Sequence, residues 1–222
     1  MPDNKVAASG AAATSKPAGE PRWPAIVAYL ALGALNVILP DELSPGPYWL
    51  LLAVVAVLLI PTVISHRAGQ RHINAILSYV ILSAVTVSMI ISLVLMVLGI
   101  LSKKEPPVIL LRAAGALWVA NVLVFASWYW KLDAGGPNLR DTRTTHTEGA
   151  FLFPQMLLSG KQARNWSPGF VDYLFLAFNT STAFSPTDVP VLSRWAKLMM
   201  IVQASISLTT VVLIAARAVN IL

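Results

Sequence analysis

The chain has 222 residues, 56% of them apolar and only 12% charged, where a soluble domain carries roughly 25% charged residues. That balance excludes a soluble enzyme and a disordered chain, and the absence of cysteine excludes a disulfide scaffold, a thiolate nucleophile and any Cys-ligated centre. A net charge of +6 would suggest nucleic acid in a soluble protein, but the basic residues here stand between apolar runs, where they orient a membrane protein, and no nucleic-acid partner is expected.

Residues 1–22 are small, polar and proline-broken, lack the apolar centre of a signal peptide and read as a disordered tail. Beyond them, charge-free runs mark the spans, because a helix needs about 20 apolar residues to cross roughly 30 Å of hydrocarbon. The runs are Trp23 to Pro40, Leu43 to Ser65, Ile73 to Ser102, Ala113 to Trp130 and Leu198 to Ala216. Only helices or closed barrels satisfy the backbone in lipid, and these runs lack the alternation of a barrel strand. Trp23, Tyr48, Trp49 and Trp128-Tyr129-Trp130 fall at run ends, as interfacial aromatics do.

Between the fourth and last spans, Lys131 to Gly169 reads as a polar loop. It contains Gly135-Gly136-Pro137 and an apolar patch, Phe151 to Leu158, that lies on the membrane surface or against the helices. A further stretch, Tyr173 to Thr187, is uncharged but short and half polar. Ser167 and Pro168 suit its start, and Ser185-Pro186-Thr187-Asp188 ends it and can cap the next element. Its length favours a re-entrant over a spanning segment. The fold class is therefore an all-α polytopic integral membrane protein, with five transmembrane helices plus one re-entrant or short sixth helix. With the N-terminus in the cytoplasm, ten Lys and Arg flank the first four spans on that side against three on the other, which predicts that orientation in the cell membrane.

The sequence offers little for catalysis, and no enzyme activity is expected. His66 and His72 are off the i,i+4 spacing of a helical metal pair, His146 stands alone, and no carboxylate pair or phosphate loop is present. No cofactor and no metal are indicated. Asp172 suits the positive end of a helix dipole. Asn36 and Asn121 read as interhelical hydrogen-bonding residues, and Ser78, Ser83, Thr86, Ser88 and Ser92 as tight-packing positions.

The segment from Asp172 through Asn179-Thr180-Ser181-Thr182-Ala183-Phe184-Ser185-Pro186-Thr187-Asp188, followed by a basic turn and a long helix, resembles the pore module of potassium-channel-like proteins. Thr180, Thr182 and Asp188 match that family's pattern. Ala183-Phe184-Ser185-Pro186-Thr187 stands where its Thr-Val-Gly-Tyr-Gly filter would be, without the two glycines that aim carbonyls at the ion, so a potassium filter is not expected. Together with the stretch Trp130-Lys131-Leu132-Asp133-Ala134-Gly135-Gly136-Pro137, the same segment is also similar to a bacterial multi-pass membrane family with no established activity. On the last helix Gln203, Ser207, Thr210 and Arg217 share one face and Leu208, Val212 and Ala215 the opposite one. A polar stripe in lipid must face another helix or water. Two readings stand. One is a channel-like pore protein passing small ions, a homo-oligomer (a tetramer on the channel likeness) lined by Thr180, Thr182, Ser185, Thr187, Asp188, Gln203, Ser207, Thr210 and Arg217. The other is a non-conducting membrane scaffold or assembly protein whose polar residues pack helices.

Overall fold

The computed structural model describes residues 20–102, 106–142, 149–158, 166–184 and 188–219. They form an all-helical bundle: α1 Trp23–Ile38, α2 Leu50–Arg67, α3 Arg71–Ser102, α4 Pro107–Leu132, the single turn α5 Pro137–Arg140, α6 Phe170–Ala183 and α7 Arg194–Val219. Among the described residues there is no strand, only an isolated antiparallel bridge between Phe151 and Val191. Four helices, α2, α3, α4 and α7, are long and apolar enough to cross a membrane. At 16 residues, α1 is about 24 Å long.

Some helix boundaries have a visible chemical cause. The second run, read from Leu43, begins only at Leu50, because Pro45-Gly46-Pro47 cannot join a helix and Asp41–Leu43 instead makes a 3₁₀ turn. The fourth and last helices outrun their charge-free cores: α4 takes in Arg112 and Lys131, and α7 takes in Arg194 and Lys197. Pro61 sits inside α2 and leaves the Val57 carbonyl without its ladder donor; one residue on, the Thr62 hydroxyl donates to Leu58 O at 2.7 Å. Asp133-Ala134-Gly135-Gly136 stops α4 with three successive positive φ values, 51°, 79° and 86° at Ala134, Gly135 and Gly136.

The outer skin is apolar: Val57, Ile60 and Ile64 on α2, Val87, Val94 and Leu98 on α3, and Leu198, Ile201, Leu208 and Val212 on α7 are all exposed. Many polar side chains are turned inward, whereas Ser83 on α3, expected to pack, is exposed, as are Ser205 and Thr209 on α7, which donate to carbonyls of their own helix. Asn36 Nδ2 donates to Ser44 Oγ at 3.1 Å and Trp128 Nε1 to Thr86 Oγ1 at 2.9 Å. This inside-out distribution is what a lipid solvent selects. At the centre α4 packs against α1, α3, α6 and α7.

The course of α6 sets the C-terminal geometry. Ala177 and Ser181 of α6 meet Gln203 and Ser207 of α7, a constant offset of 26, so the two helices run parallel. Phe170, at the start of α6, lies 5.7 Å from the Trp130 ring at the end of α4. Phe184 closes α6 in the left-handed conformation. By Pro190–Leu192 the chain is back beside residues 150–152, with Leu152 N donating to Pro190 O at 3.0 Å and Leu192 N to Ala150 O at 2.8 Å. The segment from α6 to Ser193 therefore enters and leaves at one end of the bundle.

Candidate functional site

The polar stripe of α7 is where the sequence places chemistry, and it is sealed between helices. Gln203 is fully buried. Its Nε2 donates to Ala177 O at 2.8 Å and Ser181 Oγ at 2.9 Å, and its Oε1 accepts from Tyr129 OH at 2.6 Å. One turn on, Ser207 Oγ donates to Ser181 O at 2.6 Å and accepts from Trp118 Nε1 at 3.0 Å. Asn121 Nδ2 donates to Gln203 O at 3.2 Å. Thr210 is buried and donates within its own helix, to Ser207 O at 2.8 Å. Thr180 is buried and donates to Leu176 O, whereas Thr182 and Asp188 are exposed. Of the nine expected residues, the structure thus gathers Gln203 and Ser207, with Thr210 a turn beyond, into one seam with α4 and α6. Ser185, Thr187 and the Arg217 side chain lie outside the described residues, as does His146. Ser181 and Tyr129, both central to the seam, were not anticipated; Ser181 sits four residues after Ala177, the helical spacing that could have marked it.

The start of α6 also differs from expectation. The helix begins at Phe170, so Ser167 and Pro168 precede it; its N-cap is Gly169, whose N–H donates to Oδ2 of Asp172 in the first turn at 2.8 Å. For α7 the cap is Ser193, whose Oγ accepts from Ala196 N at 3.4 Å, and not Asp188.

A second polar centre gathers at the end of the bundle where α4 stops. Arg140 is 2% exposed; its Nη1 donates to the carbonyls of Trp130 and Asp133, both at 2.9 Å, capping the end of α4 that a helix leaves without donors. Its Nη2 lies 3.0 Å from Glu20 Oε2, and its guanidinium stacks 5.2 Å over Tyr173. Glu20 also accepts from Trp130 Nε1. Arg22 Nη2 pairs with Asp141 Oδ2 at 2.5 Å. Burial lowers the Arg22 pKa from its ordinary value, and the charges of Asp141 and Glu20 oppose that shift. Asp133, 1% exposed, accepts from Ala150 N at 2.5 Å and Tyr173 OH at 2.6 Å. The residues just before α1, read as part of a tail, are thus locked to α4 and α5. Part of the apolar patch lies against the helices: Phe151 and Phe153 bury their rings against Tyr129, Tyr173, Trp166 and Trp195.

Beside this centre is a cavity of about 210 Å³ among α1, α2, α3 and the end of α4. Its α1 wall is Arg22 at the N-cap with Ala25, Ile26 and Tyr29, an i, i+3, i+4, i+7 face, and its α2 wall is Leu59, Thr62, Val63, His66 and Arg67, the same face extended to i+8. Lys131 of α4 completes it from behind. Among the described residues no group of His, Asp and Glu could hold a metal ion; His66 and His72 are exposed. No protein-family model, curated protein or solved structure matches the chain.

Proposed function

We propose that the chain is a multi-pass cell-membrane protein that crosses the bilayer five times, with α6 re-entrant and the N-terminus cytoplasmic, and that its C-terminal module is a closed, non-conducting scaffold. One observation carries the scaffold reading: every hydrogen-bonding atom of the Gln203 amide side chain is engaged by α4 and α6. A side chain so occupied is turned to its neighbours and not to a conduit, and its removal would strike packing first. The enclosed Ser207 and Thr210 extend the same logic one and two turns along α7.

A pore-loop channel is the second reading, and the parallel course of α6 and α7 with its return to the starting end favours it. In that case conduction belongs to an oligomer, with the exposed Thr182 and Asp188 facing its axis. Reconstitution into vesicles, with ion flux and thermal unfolding read on the same preparations, separates the two. The scaffold predicts no flux from the native protein. It also predicts that Gln203→Leu, which leaves Tyr129 OH without its acceptor and Ser181 Oγ without the amide donor, costs about 1–3 kcal/mol of stability. Flux from the native protein that changes in Thr182→Ala or Asp188→Asn, at unaltered stability, overturns it.

A further inference from the structure

We propose that the cavity between α1, α2 and Lys131 binds the head of an anionic amphiphile, with a phosphate or carboxylate at the cationic rim and an acyl chain along the apolar wall. Every lining side chain that is charged at neutral pH is a cation: Arg22, Arg67 and Lys131. The nearby acids do not answer all of them. Glu20 and Asp141 are taken up by Arg140 and Arg22, and among the described residues no carboxylate reaches Lys131.

Lys131 is 4% exposed, with its ammonium 5.5 Å from the Tyr79 ring and 5.6 Å from that of Trp130. Ring faces offset only part of the cost of an unpaired buried charge. A second buried group points the same way: Tyr29, 3% exposed, has no partner for its hydroxyl. A buried hydroxyl without a partner and an ammonium that meets ring faces but no carboxylate, on the wall of one space, fit an acceptor-rich anion.

The shape supplies the other half of the ligand. Ala25, Ile26, Leu59 and Val63 make the inner wall apolar, and the α1 face from Arg22 to Tyr29 runs about 10 Å along the helix axis. The volume of about 210 Å³ far exceeds the ~10–15 Å³ that one water needs. His66 and Arg67 are exposed at the outer edge, so the polar end lies at the bundle terminus and the apolar end inward. That is how an amphiphile in a membrane leaflet is oriented. The inference is independent of whether the C-terminal module conducts.

The test uses the full chain in a neutral detergent, with dioctanoyl phosphatidylglycerol, dioctanoyl phosphatidylcholine and inorganic phosphate as probes, read by thermal shift and by native mass spectrometry. The expected result is retention of the anionic lipid and a rise in melting temperature with it alone. Lys131→Met should match or exceed the native stability without lipid, because it removes an unpaired buried charge, yet bind the anionic lipid about tenfold more weakly. Tyr29→Phe, which keeps the volume, should also weaken binding and covers the case in which Lys131→Met does not fold. Equal shifts from both lipids, or unchanged anionic-lipid binding in the variants, overturn the site. A shift from inorganic phosphate equal to that from the anionic lipid overturns the amphiphile and assigns the rim to a free anion.

Discussion

A carboxylate closed off from water must draw its hydrogen bonds from the protein. Asp133 does so with one oxygen on the Ala150 amide and the other on the Tyr173 hydroxyl, and so ties α4 to the loop after it and to α6. Asp133→Ala leaves both donors buried and unanswered, with an expected loss of about 3 kcal/mol. Tyr173→Phe removes one bond and leaves one carboxylate oxygen unanswered, and should cost about 1.5–2 kcal/mol. Chemical unfolding in mixed micelles, followed by tryptophan fluorescence, reads both, and equal losses would contradict this division of roles. Gly136 holds a position at the same turn that only glycine fits: φ is +86°, and a Cβ there would stand 2.6 Å from Lys131 O. Little of this is legible in the sequence. Gly135-Gly136-Pro137 announces a turn, but Glu20 and Arg140 lie 120 residues apart, and nothing local to either predicts their meeting.

At the scale of elements, helix contact in lipid rests on close approach by small residues. Gly33 shows it where α1 crosses α2, since a Cβ on Gly33 would lie 2.9 Å from Leu52 Cα. The obstacle is backbone, so Gly33→Ala must push the helices apart, at an expected cost of about 1–3 kcal/mol. Gly115, with nothing within 4 Å of its would-be Cβ, is the control, and Gly115→Ala should be neutral or slightly stabilising. The unfolding transitions of the two variants check the contrast. The long apolar runs are readable because lipid imposes one rule on all of them, and α3 emerges within two residues of its charge-free run. The misplaced ends have local causes. Charge-free counting stops at Arg112 and Lys131 although both continue α4, and it does not see that Pro45 and Pro47 delay α2. The polar stripe of α7 is readable as a stripe, with Leu208 and Val212 exposed opposite it. Its partners are not, because Ser181, Tyr129 and Asn121 come from two other helices.

For the whole molecule the strongest expectation concerns sidedness. The chain has no cysteine, so single cysteines report one place each. Leu157, 70% exposed before α6, and Leu192, 57% exposed after it, should react with a membrane-impermeant thiol reagent from the same side, and Tyr48 at the opposite bundle end from the other. Labelling of Leu157→Cys and Leu192→Cys from opposite sides would make α6 a crossing helix and remove the re-entrant reading. The net basic charge is legible without any structure, but its distribution is not. Arg140 and Lys131 look like loop cations in the sequence and are buried in the fold.

The parallel pairing of α6 with α7 also imposes an order in time. During synthesis α6 is complete before Gln203 has been made, so Ser181 and the Ala177 carbonyl then lack the amide that later joins them. A 14-residue helix is too short to cross the hydrocarbon by itself. On the re-entrant reading proposed above, it waits at the surface or against α4 until α7 is made beside it. On that reading α7, made after α6, is the helix that locks its predecessor in place, and a chain truncated before Gln203 should present α6 to proteases as an unfinished piece.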